Sequence, residues 1–291
     1  MIMNIGYIQM APRFGHKEEN VAKVRLMMDD TTADLLVLPE LFNTGYYFKD
    51  FKEVAELAEK IPDGFTCREL AKSAKEWRCY IVAGILEEAD GMFYNSAVLI
   101  GEEGYIDHYR KIHLFDDEKV YFAPGDRPLK VYDIKKAKIG IMVCFDWIFP
   151  EVTRSLALMG AQLICHPANL VLPYCPKIMP SRCFDNRVFA ITANRVGKDV
   201  RQGESISFIG QSQVVDPEGR IIKRAGADNE CIDVIFINPQ DADNKKVSKN
   251  NLWEDRRPEF YSALTMDKAD LARIKHHDAS TDLSVDKYDI I

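Results

Sequence analysis

The chain reads as an α/β protein in which helices cover β-sheets, and three observations predict this. Short apolar runs alternate with stretches of helical periodicity along most of its 291 residues, as sheets buried under helices require. The same series of elements then recurs, so two pseudo-equivalent halves are expected to pack sheet to sheet with helices outside. Each half closes on a hairpin, which predicts mixed strand directions.

In order, NIGYIQM at 4–10 reads as a short buried strand. Val21, Val24 and Met28 then share one helical face, and DLLVLPE at 34–40 reads as a second buried strand. Phe51, Val54, Ala55 and Ala58 recur at helical spacing, as do Cys67, Leu70, Ala71, Ala74 and Trp77. YIVAGIL at 80–86 is a third strand, and NSAVLI–GEEG–YIDHYRK is a hairpin with turn residues between two β-prone runs.

The second half repeats this plan. KIGIMVC (138–144) parallels NIGYIQM, and a helix from about Pro150 carries Val152, Leu156 and Met159 before Gly160 stops it. AQLICHPA (161–168) parallels ADLLVLPE (33–40). A helix around 178–187 leads to VFAITAN, the counterpart of YIVAGIL, and SQVVDPEGRIIKR (212–224) is the closing hairpin. No proline- or glycine-rich linker parts the halves, so one domain is expected over 1–262. A polar tail, 263–291, is expected to wrap a surface or a partner subunit.

Composition narrows the function. With 38 basic against 45 acidic residues the chain is mildly acidic, which argues against a nucleic-acid partner. The N-terminus lacks the pattern of a signal peptide, and no uncharged apolar stretch approaches the ~18 residues of a membrane helix. The seven cysteines are irregularly spaced with no CxxC pair, against a zinc site or redox dithiol. A reduced, cytoplasmic setting without a metal or other cofactor is the expectation.

Three residues invite chemistry, Cys144, Glu40 and Lys111, and Glu118 does not on its own pattern. Cys144 ends the strand KIGIMVC just before a helix, a position where a helix N-terminus favours thiolate; a lone cysteine is more commonly a small buried hydrophobe. Glu40 stands at the mouth of a buried strand, where lost hydration suits a carboxylate to proton transfer; pairing with an arginine is the structural alternative. Lys111, between apolar neighbours in YRKIHLF, can carry charge to an oxyanion or be a solvated strand lysine. Glu118 lies in a charge run that reads as a solvated face. His108 and His113 fit no common ligand spacing and read as structural.

LPELFNTGY (38–46), YRKIHLF (109–115) and IMVCFDWIFPE (141–151), in this order, resemble the nitrilase, or carbon–nitrogen hydrolase, superfamily. The likeness runs from Asn4 to about Tyr261 and takes in EKVYFAPGD, HPANLV and DNRVF. It implies a four-layer αββα sandwich of two pseudo-equivalent halves whose subunits pair into αββααββα dimers. By position it assigns Glu40 as general base, Lys111 as oxyanion lysine, Cys144 as nucleophile and Glu118 as a second glutamate beside the lysine. Asn169 falls where some relatives contact the substrate, the Phe145 N–H is expected to join Lys111 at the oxyanion, and Tyr46, close behind the glutamate motif, is expected to line the substrate pocket with Trp147; Tyr46, Trp147 and Asn169 can equally be packing residues.

Phe145 and Asp146 after the cysteine resemble the amidase branches, so a small, largely neutral amide is the expected substrate and a small aliphatic nitrile the alternative. Trp147 and Ile148 occupy places where relatives acting on N-carbamoyl amino acids carry arginine. Two other readings are an idle binding or assembly subunit, and a Cys–His hydrolase. The second would need His166, the only histidine at a strand end near Cys144.

Overall fold

The computed structural model describes residues 2–29 and 31–278. It divides the chain into two compact units, Met1–Lys245 and Lys246–Ile291. The first ends short of the expected boundary at 262, because the last strand to join its sheets stops at Ile237.

The first unit opens with β1 (Met3–Gln9), α1 (Lys17–Met27), β2 (Leu35–Val37), α2 (Phe51–Leu57), α3 (Phe65–Trp77) and β3 (Tyr80–Ala89). β4 (Met92–Gly101), β5 (Gly104–Arg110) and a single turn, α4 (Glu118–Tyr121), follow. Next come β6 (Val131–Asp133), β7 (Lys138–Ile141), a 3-10 turn at Cys144–Ile148, α5 (Pro150–Leu158), β8 (Leu163–Ala168) and α6 (Cys175–Asn186). β9 (Phe189–Asn194), β10 (Lys198–Arg201), β11 (Glu204–Ser207), β12 (Gln213–Val215), β13 (Ile221–Arg224) and β14 (Cys231–Ile237) complete it.

Two six-stranded sheets result, ordered β14-β1-β2-β3-β4-β5 and β13-β12-β9-β8-β7-β6. β1, β2 and β3 run parallel, as do β7, β8 and β9, and every outer pairing in both sheets is antiparallel. The registers match: Ile5 lies opposite Leu35, which lies opposite Tyr80, just as Ile139, Leu163 and Phe189 align. The central strands of one sheet face those of the other. The twofold plan and the αββα architecture read from the sequence are therefore those of the molecule.

Core packing follows from the periodicity. Ile8, Leu36 and Ile81 on the sheet meet Val21, Val24, Leu70 and Ala74 from α1 and α3, all essentially water-free. Each such aliphatic side chain contributes roughly 1.5–3 kcal/mol by burial. α3 and α6 end alike, on Arg78 (φ 52°) and Arg187 (φ 50°). That is a left-handed cap usually left to glycine, and its recurrence at matching places marks the internal repeat.

One expected strand is shorter than read. β2 stops at Val37, because Pro39 lacks an N–H for the ladder and the chain then turns through Leu41 in the left-handed region (φ 46°). The second unit holds a small hairpin, β15 (Lys246–Val247) with β16 (Asn250–Asn251), two 3-10 turns and α7 (Lys268–Asp278). The expected tail begins inside this unit, and its residues 279–291 lie outside the described ones.

Candidate active site

Glu40 follows β2 and is fully buried. Its loop crosses β3 at Gly84, whose N–H donates to Pro39 O (3.2 Å) while Gly84 O accepts from Phe42 N (3.0 Å). A Cβ at Gly84 would sit 2.4 Å from Glu40 Cα, so only glycine permits this approach. Glu40 Oε1 accepts from Lys111 Nζ and from Asn95 Nδ2, both at 2.7 Å. Oε2 is buried without a partner among the described residues.

Lys111 leaves the end of β5, its backbone fixed by Lys111 N→Asn95 O and Gly125 N→Lys111 O, both 2.8 Å. Its ammonium lies 2.7 Å from Glu40 and 2.7 Å from Glu118, with no solvent access to the lysine side chain. Burial opposes the charge, yet Glu118 and Glu40 outweigh it and hold the ammonium protonated more firmly than usual.

Glu118, at the start of α4, also accepts from Tyr46 OH (2.8 Å) and Phe115 N (3.2 Å). Burial pushes its carboxyl up to about 7 against the pull of Lys111, with Glu40 adding to the rise. One ammonium thus serves two carboxylates.

Cys144 begins the 3-10 turn with φ 41° and is buried. The expected helix-dipole thiolate does not prevail. Burial and the Glu40 carboxylate push the thiol up, outweighing Lys111 and the Asn169 backbone N–H that favour the anion. A resting thiol therefore needs a base to activate it.

His166 is no such base. Its Nε2 meets the Cys144 carbonyl oxygen (2.9 Å) and its Nδ1 meets Thr192 Oγ1 (3.0 Å). Burial lowers its pKa to about 4; a neutral imidazole donating from Nε2 fits the carbonyl and pins the backbone of the strained cysteine. The Cys–His reading fails on this geometry.

The thiol opens on a cavity of about 200 Å³ walled by Phe115, Phe145, Trp147, Leu170, Val171 and Tyr174, with Asn169 beside it and no charged side chain in the lining. Asn169 Nδ2 donates to Glu40 O (2.9 Å), joining the two halves. Tyr46 donates its hydroxyl to Glu118 and lines a second cavity of about 210 Å³ with Glu118 and Phe115. Phe115 borders both cavities.

Sequence reasoning missed Asn95, which reaches Glu40 through the register of the β3–β4 hairpin, where it lies opposite Leu86. It also left Asp146 without a structural role. Among the described residues no group of three His, Cys, Asp or Glu is placed to hold a metal ion, and no helix is long and apolar enough to cross a membrane.

Comparison with known proteins gives the family of the chain. The family model described as carbon-nitrogen hydrolase matches residues 4–247. A nitrilase of Pyrococcus abyssi is 42% identical over 264 residues, covering 89% of this chain and 99% of that protein. An (R)-stereoselective amidase of Pseudomonas sp. is 33% identical over 264 residues, covering 88% and 92%. The crystal structure of a carbon-nitrogen hydrolase from Helicobacter pylori G27 superposes with a TM-score of 0.84 at 25% identity, over 91% of this chain and 99% of that one.

Proposed function

The chain belongs to the carbon–nitrogen hydrolase (nitrilase) family and is an enzyme that hydrolyses carbon–nitrogen bonds; from that premise we propose that it is an amidase, releasing ammonia from a small neutral amide through a thioester on Cys144. The observation that carries this reading is the buried Lys111 ammonium seated between Glu40 and Glu118. Two of its three N–H groups are committed to the carboxylates, which leaves the third for an oxyanion.

In this reading Glu40 takes the thiol proton and Cys144 Sγ forms a bond to the amide carbon. The carbonyl π pair moves to oxygen, where Lys111 and the Phe145 N–H hold the charge; one such donor is typically worth ~10²–10³ in rate. The carbonyl re-forms as the C–N bond breaks, and Glu40 returns the proton to the departing nitrogen. A water, deprotonated by Glu40, then adds to the thioester, and the acid leaves as the thiol is regenerated.

The uncharged, aromatic cavity favours a neutral acyl group of modest size. A charged substrate would shed its hydration there with no partner. A nitrile substrate is the second reading, favoured by the 42% identity to a protein named a nitrilase. Ammonia release from matched butyramide, butyronitrile and N-carbamoylbutylamine decides between them. Amide turnover that vanishes in a folded Cys144→Ala variant is the expected result, and turnover confined to the nitrile overturns the choice.

We propose also that two chains pair through α5 and α6. Leu158, Met159 and Phe184 there are apolar and 40–51% exposed, which marks an association face.

A further inference from the structure

Asp146 plays no part in the scheme above, yet it is fully buried and ties the two reacting segments together. On the cysteine side its Oδ2 accepts from Val143 N at 2.9 Å. On the lysine side Oδ2 accepts from Tyr109 OH at 2.7 Å, and Oδ1 accepts from His113 N at 3.2 Å and meets His113 Nδ1 at 2.8 Å. Tyr109 and His113 lie two residues before and two after Lys111. The His113 ring also stacks on Phe149, which ends the nucleophile's turn, with centroids 3.6 Å apart and planes 12° from parallel.

We infer that Asp146 is a positioning residue: a brace that sets the separation of the Lys111 ammonium from the Cys144 thiol. Every partner presents a donor to it, so the acceptor-only carboxylate fits and an amide does not. With asparagine at this place, one amide face would donate. Either the Val143 N–H or the His113 N–H then loses its acceptor, whichever way the group is turned. Lys111 and Cys144 sit on separate sheets, so their spacing depends on such cross-ties, and a shift of about 1 Å between reacting groups can cost on the order of 10² in rate.

The inference rests on the family's thiol chemistry but not on the choice of amide, since the test uses whichever substrate of the panel turns over fastest. Amide inactivity with nitrile turnover would sink the amidase reading and leave this test intact. The measurements are kcat and KM, per titrated thiol, for Asp146→Asn, Tyr109→Phe and the double variant. A brace predicts a kcat fall of at least thirtyfold in Asp146→Asn with KM within threefold, because the loss is felt in the transition state. Tyr109→Phe should lose about tenfold, and the double variant should be no more than twofold below Asp146→Asn, since both act through one connection. A folded Asp146→Asn with kcat within threefold of wild type, or losses that multiply in the double variant, overturns the inference. Should Asp146→Asn not fold, Tyr109→Phe decides alone: a tenfold kcat loss at unchanged KM supports the brace, and an unchanged kcat overturns it.

Discussion

Glu118 and His166 are both buried and both shifted, in opposite directions, and stability should register each. The Glu118 carboxyl is raised from 4.5 to about 7, so between those values the folded chain keeps a proton that the unfolded chain has released. Its contribution is present below pH 4.5 and lost as pH rises through 7. His166 is lowered from 6.5 to about 4, so its contribution is present above pH 6.5 and lost as pH falls through 4. Each effect is on the order of 3 kcal/mol, and they oppose one another between pH 4.5 and 6.5. Denaturant midpoints across that interval should fall with pH in His166→Gln and rise with pH in Glu118→Gln. Parallel slopes in the two variants would contradict the assignment.

At the scale of elements, the loops that carry Glu40 and Lys111 are held close to their neighbours by two glycines. Gly84 lies under Glu40, and Gly125 lies against Arg110, where a Cβ would meet the carbonyl oxygen at 2.1 Å. Gly84→Ala should push the Glu40 loop off β3 and cost about 1–3 kcal/mol through overpacking. Ammonia release should fall at least a hundredfold in the folded fraction; wild-type kcat in that variant would show that the loop tolerates the displacement. Much of this site was legible in the sequence, since Glu40, Lys111 and Cys144 each end or follow a recognisable strand. Glu118 was legible only through the family resemblance, because a charge run looks solvated until the lysine of the preceding segment is seen beside it. Asn95 and Asp146 were hidden for a related reason. Their partners are set by hairpin register and by packing between sheets, and neither leaves a local pattern. Tyr46 was read as a pocket residue from its closeness to Glu40 in sequence, and its hydroxyl bond to Glu118 is a contact that this closeness does not reveal.

For the whole molecule, the repeat was readable because helix and strand periods recur in order, but its outer strands were not. β6 comes just before β7 and flanks it, whereas the strand in the equivalent place beside β1 is β14, from the far end of the unit. Only a folded chain shows that the halves match in this cyclic order. The same plan yields one site, not two: in the repeat, Cys144 matches Met10 and Glu40 matches Ala168. Pairing through α5 and α6 is expected to give twice the 33.2 kDa chain mass by light scattering. Phe184→Glu should shift that to a single chain, and a wild-type monomer would refute the pairing.

The late arrival of β14 also sets the order in which the two sheets acquire their full sets of strands during synthesis. All six strands of the second sheet lie between Val131 and Arg224, so that sheet can close while the chain is still being made. β1 emerges first yet keeps an open edge until Cys231–Ile237 is delivered. The second sheet therefore has all of its strands before the first does, although five strands of the first are made earlier. A nascent chain stalled before Cys231 would expose β1 as a sticky, unpaired edge.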